Sequence, residues 1–65
     1  MSIRETLQIK VNAERYVIMR ALHAGCSAQV AAQVAARVMT LWDPALTLRE
    51  WDEFADFEIA ARLRT

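Results

Sequence analysis

Residues 27–42 read SAQVAAQVAARVMTLW, and this stretch decides the fold. Wound as a helix at about 100° per residue, it gathers Gln29, Gln33, Arg37 and Thr40 into one narrow polar stripe. The rest of its circumference is apolar: Val30, Val34, Val38, Met39, Leu41 and Trp42, with alanines between them. A surface helix normally carries an apolar stripe a little over 100° wide; this one is apolar over roughly twice that arc. Such a helix requires neighbours on two or three sides, and the expectation is that a second copy of the chain supplies some of them.

Size points the same way. The chain has 65 residues, enough for one domain spanning 1–65. A domain this small buries only about 60 % of its unfolded surface and leans on disulfides, metals or oligomerisation. Cys26 is the only cysteine, which excludes an internal disulfide, and His23 and Cys26 alone offer no metal-ligand spacing. Self-association remains, in keeping with a hydrophobic fraction of 55 %. No apolar run is long enough to span a bilayer, and the first residues do not begin a secretory signal. The expectation is a soluble, cytoplasmic protein with no cofactor and no membrane partner.

A net charge of zero conceals a split. Residues 1–40 carry Arg4, Lys10, Arg15, Arg20 and Arg37 against Glu5 and Glu14, a balance of +3. Residues 41–65 carry Arg49, Arg62 and Arg64 against Asp43, Glu50, Asp52, Glu53, Asp56 and Glu58, a balance of −3. Either the halves do different work, or they attract each other across a dimer.

Upstream of the central helix, Ile3, Leu7, Ile9 and Val11, with Glu5 the one misfit, alternate with Arg4, Thr6, Gln8, Lys10 and Asn12, which is the signature of a half-buried strand. A helical reading competes, because Ser2-Ile3-Arg4-Glu5 fits a capping box. Asn12 suits an N-cap, after which Val17, Ile18, Ala21 and Leu22 form a helix face that Gly25 terminates. Ser27 caps the central helix, which is expected to reach about Trp42, where Asp43-Pro44 breaks it. Thr47-Leu48-Arg49-Glu50 is a second capping box, opening a helix to about Leu63. The predicted order is β-α-α-α, mostly helical: a dimerisation core over 1–42 and an acidic C-terminal helix over 45–65. The alternative is an all-α three-helix dimer.

The strand, the capped helix, the run Ala21-Leu22-His23-Ala24-Gly25-Cys26-Ser27 as A-x-x-x-G-x-S, and the following helix resemble the ribbon-helix-helix superfamily over residues 3–42. Arg20 departs from the pattern, standing where that family commonly has an apolar core residue. The resemblance implies an intertwined homodimer in which two strands pair into a ribbon. Leu7, Ile9, Val11, Val30, Val34, Ala35 and Val38 would form its interface. It also implies a transcriptional regulator that reads duplex DNA through Thr6, Gln8 and Lys10 on the outer face of the ribbon. Arg4 and Asn12 would flank them, Arg15 and Arg20 would add phosphate contacts, and Ser27 at a helix N-terminus would offer backbone N–H groups to a phosphate. The competing reading makes the outer strand face merely solvated.

The last helix points to a second function. Leu48, Trp51, Ala55, Ile59 and Leu63 make its packing stripe, while Phe54 and Phe57 sit among Glu53, Asp56 and other carboxylates. Aromatic side chains in an acidic helix suit a groove on a protein partner, unless they cover a dimer mate. On this reading the chain is a small interaction module that inhibits or adapts another protein, without a DNA role. No Ser-His-Asp set, catalytic carboxylate pair or phosphate loop occurs, so the expectation is that it is not an enzyme.

Overall fold

Gly25 sets the first turn. Its φ of +105° is a backbone conformation that side-chain-bearing residues rarely adopt. It follows helix α1, Lys10–His23, as the left-handed residue of a Schellman motif. The Cys26 N–H donates to the Ala21 carbonyl and the Gly25 N–H to the Leu22 carbonyl, at 3.0 and 3.1 Å. The chain thereby reverses, and Cys26 tucks into the core. Ser27 then caps helix α2, Ala28–Met39, its Oγ accepting the Val30 N–H at 3.2 Å. The computed structural model describes residues 9–64.

Beyond Met39 the backbone tightens into successive i→i+3 bonds, with Leu41 N–H on the Val38 carbonyl and Trp42 N–H on the Met39 carbonyl. The helix therefore ends three residues short of Trp42. Asp43 builds the next turn: its Oδ1 accepts the Ala45 N–H and its carbonyl the Leu46 N–H, at 2.8 and 3.0 Å. The capping box at Thr47 is reciprocal. The Glu50 N–H donates to Thr47 Oγ1, and the Thr47 N–H donates to Glu50 Oε1, each at 3.2 Å. It opens helix α3, Leu48–Arg64.

Cross-helix pairs fix the topology. Ala13 with Trp51, Tyr16 with Asp52 and Arg20 with Asp56 advance together along both helices, so α1 and α3 run parallel. Arg37 with Glu58 and Gln33 with Arg62 advance in opposite senses, so α2 and α3 are antiparallel. The result is an up-down-up bundle of three helices, with no strand among the described residues.

At its centre Trp51, only 2 % exposed, lies in one core with Val17, Val34, Val38 and Ile59. Ala13, Ala21, Ala31, Ala35 and Ala55 are buried around them. Small residues allow the backbones to approach, and one large ring fills the space they leave. The indole N–H donates to the Ala13 carbonyl at 3.3 Å, so the one polar atom of the ring is satisfied.

Besides the end of α2, one boundary differs from the sequence reading. Helix α1 begins at Lys10 instead of after Asn12, because the Ile9 carbonyl accepts both the Asn12 and Ala13 N–H groups at 3.0 Å. Ile9 is the N-cap and makes no side-chain cap bond. Lys10 and Val11 are thus helical, and Val11 is exposed, so the alternation at these positions corresponds to no burial. The earlier start places Ala13 inside a helical turn, where it can meet Trp51. The remainder of the expected strand, residues 3–8, lies outside the described residues. The neighbours demanded by α2 come from the same chain: Val34, Ala35 and Val38 are at most 2 % exposed within the bundle.

A Trp51→Ala substitution removes about 3–5 kcal/mol, against a total stability on the order of 3–10 kcal/mol for a domain of this length. Chemical denaturation should show the variant largely unfolded at 37 °C, whereas a loss under about 1 kcal/mol would contradict the placement of Trp51 at the centre of the core.

Candidate functional site

Two exposed regions of α3 carry chemistry, and they lie on different sides of the helix. The first faces α1. Arg20 grips Asp56 with two nitrogens, at 2.7 and 2.8 Å from Nη2 and 3.1 Å from Nε, and Nη1 lies 3.5 Å from Asp52 Oδ1. Tyr16 donates its hydroxyl hydrogen to Asp52, and the Arg20 guanidinium lies 5.9 Å from the Tyr16 ring centre. Spacing of four residues on each helix aligns Tyr16 and Arg20 with Asp52 and Asp56.

The hydrogen bonds that Arg20 donates to Asp56, followed by the nearby carboxylate charges, raise the Arg20 pKa above its ordinary value despite partial desolvation. Burial, then the Asp52 carboxylate, raises the Tyr16 phenol above 10.0. The cluster is half exposed, so it contributes no more than about 1 kcal/mol per pair. Its main effect is to fix the rotation of α3 against α1.

This arrangement accounts for the polar residue at position 20, where a ribbon-helix-helix chain would place an apolar one. It also occupies two candidates. Arg20 is engaged with carboxylates, and Asp56 belongs to the α1 side of α3, away from the aromatic residues with which the sequence grouped it.

The second region is aromatic. Trp51, Ala55 and Ile59 point inward, and residue 57 falls close to the opposite pole of the helix. Phe57 is 76 % exposed. It borders a cleft of about 360 Å³ between α3 and the end of α2, with Val38 and Leu41 on the α2 side and Phe54 on the α3 side. Phe54 is half-buried and meets Trp51 edge to face at 6.5 Å, so the cleft wall is braced by the core. Glu58 lines the cleft between Arg37 at 3.7 Å and Arg62 at 3.6 Å. Glu53 stands on the exposed side of α3, 3.5 Å from Arg49. Phe54, Phe57 and Glu53 are therefore brought to one face. The sequence reading missed the place of Val38 and Leu41 beside Phe54, and that of Leu41 depends on the tight turn after Met39.

The residues proposed for DNA are dispersed. Arg4, Thr6 and Gln8, with the interface candidate Leu7, lie outside the described residues. Lys10 and Arg15 are exposed on α1 and pair with no carboxylate among the described residues. Ser27 begins α2 at the other end of the bundle from Lys10, its hydroxyl used in its own cap. Of the expected dimer contacts, Ile9 and Val11 are exposed, Val30 is half-buried, and Val34, Ala35 and Val38 are in the chain's own core.

Among the described residues no group of three His, Cys, Asp or Glu could hold a metal ion. No described helix is long and apolar enough to cross a membrane. No protein-family model matches the chain, and comparisons with curated proteins and with solved structures give no match.

Tyr16 is the only tyrosine, so phenolate absorbance reports it alone. With a folded pKa above the unfolded one, the native state holds the proton more tightly. Its stabilisation is therefore complete below pH 10.0 and is lost as pH rises through the folded value. The titration midpoint should lie above that of the denatured chain; a midpoint at or below it would contradict the half-buried contact with Asp52.

Proposed function

We propose that the chain is a small, non-enzymatic protein-interaction module whose working surface is the aromatic face of α3. The observation that carries this reading is Phe57. Of the five aromatic residues, Tyr16, Trp42, Trp51 and Phe54 are buried or half-buried, while Phe57 stands 76 % exposed beside an apolar cleft. Leaving a phenyl ring in water forgoes about 1.5–3 kcal/mol of burial. Aromatic residues over well-packed pockets are the side chains that dominate binding energy at protein interfaces. The module acts by occupying a surface of its partner.

The regulator reading, with DNA contact through Thr6, Gln8 and Lys10, draws less support from the described residues. Phosphate neutralisation supplies most nucleic-acid affinity, and here Arg20 is engaged with Asp56 while Lys10 and Ser27 lie at opposite ends of the bundle. The measurement that separates the two readings uses Phe57→Asp and a Lys10→Ala, Arg15→Ala variant. Phe57→Asp should abolish protein association while changing folding stability by less than about 0.5 kcal/mol, since the position is exposed. Binding of the wild type to random duplex at about 50 mM salt that survives Phe57→Asp and is lost in the double variant would replace the interaction module with the DNA-binding one.

A further inference from the structure

We infer that the partner of the aromatic face is a second copy of the chain, docked through an antiparallel pairing of α3 with α3 centred on Phe57. The inference rests on the proposed working surface and specifies its occupant. Glu50, Phe57 and Arg64 are each seven residues apart, two helical turns, and all three are exposed. Seven residues return to within about 20° of the same direction, so the three lie along one exposed line of the helix.

That line has an acidic end, an aromatic centre and a basic end, equally spaced. A two-fold axis beside Phe57, perpendicular to both helices, brings Glu50 opposite Arg64 of the partner subunit, and the same pair recurs on the other side of the axis. The two Phe57 rings meet at the centre. On one flank Phe54 comes opposite Ala61, and on the other Glu53 comes opposite Ala60. A large or charged side chain thus faces a methyl group at each step, which permits close approach of the helices.

Charge selects this arrangement over its alternative. Parallel pairing of the same faces would stack Glu50 on Glu50 and Arg64 on Arg64, with like charges opposed at both ends. Arg64 pairs with no carboxylate among the described residues, and Glu50 uses only Oε1 in its capping box. Both therefore remain able to pair across the axis. The net charge of zero imposes no overall repulsion between two copies. The pairing also differs from an intertwined dimer, because it leaves the core residues Val34, Ala35 and Val38 within their own bundle.

Sedimentation equilibrium on the full chain, from about 10 µM to 1 mM, provides the test. The wild type should self-associate to a dimer, and Phe57→Ala should weaken that dimer about tenfold or more. Arg64→Glu should weaken it as well, by facing two carboxylates across each end. Adding Glu50→Lys to Arg64→Glu should restore association by exchanging the signs of each pair. Circular dichroism identifies any variant that has lost helix. Glu50→Gln, which retains an acceptor for the cap, serves as the control for that position: it should fold normally and dimerise more weakly.

A dimer indifferent to both charge reversals and to Phe57→Ala overturns the inference. So does a wild type that stays monomeric throughout. In that second case a photo-crosslinker at position 57 separates the possibilities. An adduct with a different protein leaves the interaction surface in place and removes only self-pairing, whereas no adduct removes both.

Discussion

The placement of one indole ring governs the rest of this molecule. Trp51 occupies the space between α1 and α2 that Ala13, Ala31, Ala35 and Ala55 leave open, and its N–H is held by the Ala13 carbonyl. Burying a tryptophan removes about 150–250 Å² from water, worth about 4–6 kcal/mol at 25 cal/mol per Å². For 65 residues that is comparable with the whole stability margin. Once Trp51 is seated, helical geometry places Ala55 and Ile59 inward after it and sends Phe57 to the opposite side. The Tyr16–Asp52 and Arg20–Asp56 contacts then restrain rotation of α3 about its axis. Exposure of Phe57 thus follows from burial of Trp51.

The same constraint resolves the apparent excess of hydrophobicity in α2. Its broad apolar arc demands several neighbours, and the demand is real: Ala31, Val34, Ala35 and Val38 are all buried. Both neighbours are supplied from within the chain, α1 through the Gly25 turn and α3 through the Asp43-Pro44 turn. The outward arc that remains is largely Ala28, Ala32 and Ala36, which expose little apolar surface and need no cover. The charge split has a similar outcome. Basic residues of the first half meet acidic residues of the second across α1–α3 and α2–α3 contacts inside one bundle.

What was legible in the sequence was whatever local geometry dictates. Gly25, the Ser27 cap and the Thr47–Glu50 box each depend on residues within a few positions, and each occurs as read. The packing stripe of α3 was legible from Leu48 through Ile59, and Leu63 falls outside it at 54 % exposure because α2 begins alongside and the bundle ends. The inner face of α1 was read one step off. Leu22, which hydropathy favours, is exposed, and Ala13, which carries almost no hydropathy signal, is fully buried. An alanine there leaves room for Trp51, and that fit is a property of the ring it meets, not of its own hydropathy. The aromatic candidates Phe54 and Phe57 were legible as a pair, whereas the engagement of Asp56 by Arg20, 36 residues away, has no local signal in the sequence.

The central claim is that the core closes within a single chain. An isotope-filtered NOE experiment on a mixture of labelled and unlabelled protein tests it directly, by asking whether the Trp51 indole and the Ala13 that it meets belong to the same polypeptide. The account predicts strong NOEs within one chain and none between chains, even where dimers form. A Trp51–Ala13 NOE arising between labelled and unlabelled chains, as an intertwined dimer would give, or no such NOE at all, would contradict it.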